Sequence, residues 1–134
     1  ASPERIWKIL TEIENYPDWN PYIRHANGQI EQGHKLKLYI EPPGSDGMTF
    51  KPTVKKVVPN TELRWFGRLL IPKIFDGEHI FQLESQGNGK TRFIQREIFN
   101  GLLVRLYANR LDRDIKKGFE EMNQALKRRV EQLN

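Results

Sequence analysis

At 134 residues, with 37% hydrophobic and 29% charged side chains, the chain has the make-up of one soluble globular domain. It has no cysteine, which excludes disulfides, thiolate nucleophiles and Cys-ligated zinc and fits a reducing cytoplasm. The net charge of +5 comes from 22 Lys and Arg against 17 Asp and Glu, a mixed surface rather than a polybasic tail. No apolar run reaches the ~18 residues of a membrane span, and no basic-then-apolar signal segment opens the chain.

Ser2-Pro3-Glu4 predicts a helix start: Ser as N-cap, Pro at the first helical position, an acid in the first turn. Ile6, Leu10 and Ile13 then recur on one face with Trp7 beside them. The stretch YPDWNPYI (16–23) breaks this helix with two prolines and predicts an elbow, with Trp19 as its aromatic anchor. From Ile23 to Phe99 the period changes to two. Leu36-Leu38-Ile40, Phe50-Val54, Leu63-Trp65 and Phe81-Leu83 alternate with polar neighbours, the pattern of strands with one buried face. Turn signals at 32–33, 42–47, 59–60 and 87–89 separate them, so about six strands in an antiparallel meander are expected. Leu111, Ile115, Phe119, Met122, Leu126, Val130 and Leu133 form one apolar stripe on a long final helix, roughly 45 Å from about Leu103 to Leu133. Gly118 interrupts the stripe, either for close approach to the sheet or to leave room for a guest. The helix is rich in basic residues, which predicts chiefly a solvated outer face.

The element order resembles the helix-grip fold of the START-like, or SRPBCC, superfamily, nearest to its polyketide cyclase/dehydrase-type members. Ile6-Trp7 with Leu10, Tyr16-Pro17-Asp18-Trp19-Asn20-Pro21, Leu63-Arg64-Trp65, Phe75-Asp76-Gly77-Glu78-His79, and Arg96-Glu97 with Gly101-Leu102-Leu103 carry the likeness. The resemblance implies an α+β fold in which a curved antiparallel sheet grips the long helix around an apolar cavity. Family members usually have a strand before the first helix. Here Ala1 stands immediately before the N-cap, so that strand is either removed or outside this sequence; without it, six strands with an open sheet edge are expected instead of seven. The loops 42–48, 67–76 and 99–103 are expected at the cavity mouth by the same resemblance.

Phe50, Trp65, Phe81 and Phe99 should face the inside of the sheet, opposite Leu111, Ile115 and Phe119 of the helix. Such a lining suits a packed core and a ligand pocket alike. His79 and Glu97 are the sharpest polar pair. A hairpin with Gly89 as bulge residue sets them opposite each other; a tight Asn-Gly loop shifts the register by one and turns Glu97 away. Opposed, they are a satisfied polar pair, a reader of a ligand hydroxyl or carbonyl, or an acid–base pair. The apolar segment Leu69-Leu70-Ile71, flanked by Arg68 and Lys73, is either a pocket gate or a patch for transient contact with a lipid surface. The three histidines have no metal-ligand spacing, and no phosphate or dinucleotide loop occurs, so no metal and no cofactor are expected. The leading expectation is a non-catalytic carrier or sensor of a small hydrophobic ligand, a monomer or weak dimer without a specific nucleic-acid partner. A cyclase or dehydratase using His79 and Glu97 is the alternative. An interaction module built on the basic helix ranks last.

Overall fold

The structure, a computed structural model, describes residues 1–44, 46–68, 76–100 and 104–132, with side chains described in these ranges except at 68, 76, 100, 104–112 and 114. Helix α1 (Pro3–Thr11) starts as expected, with the Ser2 hydroxyl accepting the Arg5 N–H at 3.3 Å. It buries Ile6, Ile9 and Leu10. A 3-10 turn (Ile13–Asp18) follows, containing Pro17. Its period of three puts Ile13 and Tyr16 on one side, and both are buried. Tyr16, not Trp19, is therefore the fully buried aromatic of the elbow. Its hydroxyl donates to the Leu10 carbonyl. Trp19 comes after the turn has ended and packs edge-on to Tyr16, 5.2 Å between ring centroids, while only partly buried. Asn20 then closes the elbow. Its side-chain oxygen accepts the N–H groups of Tyr22 and Ile23, both at 2.9 Å, and so aims the chain into the sheet.

The sheet runs β1 (Ile23–Asn27), β2 (Lys37–Ile40), β3 (Met48–Phe50), β4 (Thr53–Val58), β5 (Glu62–Arg68), β6 (Asp76–Gly87) and β7 (Lys90–Asn100). Each paired neighbour is antiparallel, in the orders β1-β2-β3 and β4-β5-β6-β7. The alternating 50–55 run, which reads as one strand, is two. Pro52 lacks the N–H needed to carry the ladder through, so β3 and β4 part there and the strands number seven rather than six. The break is a bend in one ribbon. Beyond it, Lys35 bridges Thr53, Leu36 N–H donates to the Pro52 carbonyl, and Val54 N–H donates to the His34 carbonyl.

Helix α2 (Val104–Gln132) lies against β7 and α1. Phe119, Met122, Leu126 and Val130 are buried on one stripe, while Lys116, Lys117, Glu120, Glu121, Lys127 and Arg128 are exposed. Arg5 of α1 ties the two helices by donating to the Val130 carbonyl at 3.1 Å. Gly118 serves close approach: a Cβ there would lie 2.4 Å from the ring of Tyr22, which itself packs edge-on to Phe119. Leu10, Ile13, Ile23, Leu36, Leu38 and Leu63 complete a core closed by α1 and α2. Each such side chain contributes roughly 1.5–3 kcal/mol on burial. No described helix is long and apolar enough to cross a membrane.

Candidate functional site

Strand register builds one continuous row across the inner face. Val54 pairs with Trp65, Trp65 with His79, and His79 with Glu97. The hairpin that sets the last pair is neither of the two forms expected. The turn is the tight one, with Asn88 (φ 55°) and Gly89 (φ 73°) both left-handed, as a two-residue hairpin demands. Gly87 pairs with Lys90, and the bulge falls between Ser85 and Gly87 instead of at Gly89. That extra residue restores the phase the tight turn would have lost, so Glu97 faces His79.

His79 sits in an aromatic box. Its ring stacks on Phe81 at 4.3 Å between centroids, with Phe119 at 4.8 Å and Trp65 at 5.3 Å. Nδ1 is 3.1 Å from Glu97 Oε2, and Nε2 is 2.8 Å from Gln95 Oε1. Gln95 in turn donates to Asn123 Oδ1 of α2 at 2.8 Å. A four-member polar chain thus runs from β7 to β6, back to β7 and on to the helix. The Trp65 indole N–H is also buried, with no hydrogen-bond partner among the described residues. Unpaired burial of such a group costs about 1–3 kcal/mol.

Burial sets the charge state of this chain. It pushes the His79 pKa down to about 3, against a smaller opposing effect of the Gln95 hydrogen bond. It pushes the Glu97 carboxyl up to about 8, with the Glu78 charge acting in the same direction. Burial, and then the Glu97 charge, also holds the Tyr22 phenol well above its usual range. At neutral pH both members of the His79–Glu97 pair favour their uncharged forms.

Among the described residues the inner face is sealed around this row and only half-covered beside it. His79 has 4% of its side chain exposed and Glu97 13%. The next row is Gly67, Gly77 and Phe99. The Phe50 ring fills the room above Gly67, and Glu97 Oε1 lies above Gly77, 2.7 Å from where a Cβ would stand. Toward this end Phe99, Ile115 and Ile40 are half-buried, and Met48, on the face of Phe50, is 43% exposed. Of the side chains nominated from the sequence, Phe50, Trp65, His79, Phe81 and Phe119 are buried in one cluster or against it. Glu97, Phe99 and Ile115 border it half-buried. The Leu111 side chain and the segment Leu69, Leu70 and Ile71 lie outside the described residues.

Three residues of the site were not nominated. Gln95 shares the strand phase of Phe93 and Glu97, so its inward face was readable. Asn123 sits one position off the apolar stripe of α2, and Tyr22 follows the second elbow proline; nothing local marks either. A separate cleft of about 620 Å³ opens between the N-terminus, the start of β7 and the end of α2, lined by Ile6, Phe93, Leu126 and Val130. None of the nominated residues lines it, but Asn123 does.

The sequence matches the family described as polyketide cyclase/dehydrase and lipid transport over residues 1–131. No curated protein matches it. Among solved structures, the Zhui aromatase/cyclase from Streptomyces sp. R1128 is similar with a TM-score of 0.75 at 11% identity, over 98% of this chain and 87% of that one. A Staphylococcus aureus protein of unknown function is similar with a TM-score of 0.72 at 12% identity, over 98% and 87%. A Mesorhizobium loti protein gives 0.65 at 21% identity, over 95% and 90%. Identities this low establish the helix-grip fold and nothing finer. The match over nearly the whole sequence establishes the family: this chain belongs to the polyketide cyclase/dehydrase and lipid transport family.

Proposed function

We propose that the protein binds a small hydrophobic ligand between the sheet and α2, as a non-catalytic carrier or sensor. In this reading the ligand lies at the half-buried end of the inner face, against Phe99, Ile115 and the Glu97 carboxyl. The observation that carries this reading is the polar chain from Glu97 to Asn123 through the buried His79, inside an aromatic lining. A core selected only for stability gains little from a buried His79, three half-buried polar partners and an indole N–H without a hydrogen-bond partner among the described residues. A binding site uses a few fixed polar groups on an apolar wall to orient its guest. The family and the helix-grip fold agree with such a pocket.

The test is a titration with an uncharged fluorescent apolar dye. Wild type should saturate at about one dye per chain. Ile115→Arg, at the border of the inner face, should abolish binding. Ile98→Arg, on the exposed outer face of β7, should leave it intact. Equal binding by both variants would place the dye elsewhere and overturn the reading.

The same pair favours a second reading, a cyclase or dehydratase in which His79 and Glu97 move protons and the pocket folds the substrate. It requires turnover that collapses in His79→Ala and Glu97→Gln while binding survives. Undiminished turnover in both variants removes it.

A further inference from the structure

The hydrogen bonds around His79 have a direction. Asn123 offers its side-chain oxygen, and Gln95 donates its amide N–H to it. Gln95 is left facing His79 Nε2 with a carbonyl oxygen, which only accepts. His79 must therefore carry a proton on Nε2. A neutral imidazole has one N–H, so Nδ1 holds a lone pair. Glu97 Oε2 lies 3.1 Å from that lone pair. An ionised carboxylate there would set acceptor against acceptor, whereas a carboxylic acid donates its O–H. An imidazolium protonated on both nitrogens would also satisfy the geometry, but it would bury a charge against Trp65, Phe81 and Phe119.

We propose that Glu97 is held as a neutral carboxylic acid donating from Oε2 to His79 Nδ1, and that its other oxygen, Oε1 above Gly77, is the acceptor that selects an uncharged, hydroxyl-bearing hydrophobic ligand. This rests on the pocket reading above. The titratable groups set against Glu97 among the described residues are His79 and Glu78 on β6 and Tyr22 ahead of β1. None of the three is a cation at neutral pH. From α2 the pair meets the ring of Phe119 and, through Gln95, the Asn123 amide. Burial acts on both members in the direction the bond polarity requires. Glu97 is the more exposed member, so it is the one a ligand reaches. A phenol or alcohol donates to Oε1 with no change of net charge. An ammonium would need the carboxylate, and a ligand carboxylate would meet an acceptor. Gln95 and Asn123 are positioning residues: they fix which His79 nitrogen is protonated and thereby where the Glu97 proton lies.

Two measurements test this. Infrared difference spectra of wild type against Glu97→Gln read the acid without any ligand. A protonated-carboxyl C=O band is expected at neutral pH, fading as pH rises through about 8. Its absence at neutral pH overturns the proposal. Nitrogen NMR should show His79 as the Nε2–H form, and Asn123→Leu should release that preference; an unchanged tautomer removes the positioning role. The ligand class is then read with naphthol, its methyl ether and naphthylmethylammonium. Naphthol should bind about tenfold more tightly than the ether, the worth of one hydrogen bond. Gly77→Ala, which displaces only the flexible end of Glu97, should narrow that gap. Equal binding of naphthol and ether overturns the ligand class and leaves the pocket standing, and tightest binding of the ammonium overturns the neutral acid. Failure of all three probes removes the pocket and the ligand class together, while the carboxyl band still decides the state of Glu97.

Discussion

Glu62 on β5 and Glu97 on β7 are two largely buried glutamates of one sheet, and they end in opposite states. Glu62 faces outward, with 8% of its side chain exposed. Lys56 Nζ is 2.7 Å away, Arg64 Nε 2.9 Å, and Gln82 Nε2 donates at 2.7 Å. Burial alone would raise its pKa, but the bonds from Arg64, Lys56 and Gln82 outweigh it and hold the carboxyl at about 2. Glu97 faces inward to a neutral imidazole, and burial raises it to about 8. Both are shielded from solvent, but Glu62 lies shallow beneath charged surface side chains and Glu97 deep beside an aromatic box, so depth and partner decide together. The outer face holds a charge for the fold; the inner face holds an acid that the fold leaves protonated.

The comparison breaks most completely if the inner face itself is hollowed. Phe81 is fully buried between Trp65, His79 and Phe93, so Phe81→Ala should cost about 3–5 kcal/mol in denaturant unfolding. A cost under about 1 kcal/mol would mean that the aromatic box is not packed as described.

The pH profile sharpens it next. Glu97 binds its proton more tightly folded than unfolded. Its contribution to stability is complete below about 4.5 and is lost as pH rises toward about 8. Glu97→Gln should erase that decline, whose slope reaches at most about 1.4 kcal/mol per pH unit. Neutral His79 contributes above 6.5 and is lost as pH falls toward about 3. Glu62 works in the same sense as His79, its stability present above 4.5 and lost toward about 2. Glu62→Gln should therefore cost about 1 kcal/mol at neutral pH and progressively less in acid. Urea unfolding across pH should give two glutamine variants that meet wild type in acid and depart from it in opposite directions as pH rises, Glu62→Gln falling below wild type and Glu97→Gln rising above it toward pH 8. Departure in the same direction would void the contrast.

The smallest effect belongs to Gly77→Ala. The added Cβ crowds the tip of Glu97 and makes an ordinary contact with the Phe99 ring, so stability should change by less than about 1 kcal/mol. The titration near pH 8 should nevertheless move, because Oε1 can no longer lie over β6. A large stability loss with an unmoved titration would mean that Oε1 does not occupy that space.

Most of the frame was legible in the sequence because it is written in local chemistry. Ser2-Pro3 marks the α1 start, the stripe from Ile115 to Val130 marks the buried face of α2, and period-two alternation marks the strands. The pieces that were not legible depend on partners distant in the chain. Tyr16 displaces Trp19 as elbow anchor because a 3-10 turn, not an α-helical one, sets the phase. The break at Pro52 keeps its pairing because 34–36 supplies the partners. The Asn88-Gly89 turn alone would have turned Glu97 away, and only the bulge after Ser85 corrects it. His79 and Glu97 could be nominated from phase. The direction of their hydrogen bond could not, because Asn123 lies on another element and reaches them through Gln95.

The central claim is that this inner face is built to hold a hydrophobic guest. Native mass spectrometry of the protein purified from its own host, followed by solvent extraction, tests it most directly. The account predicts one small molecule of defined mass per chain, uncharged and hydroxyl-bearing, and its loss in Ile115→Arg. A clean ligand-free mass under gentle conditions, together with no uptake of an apolar dye, would contradict it.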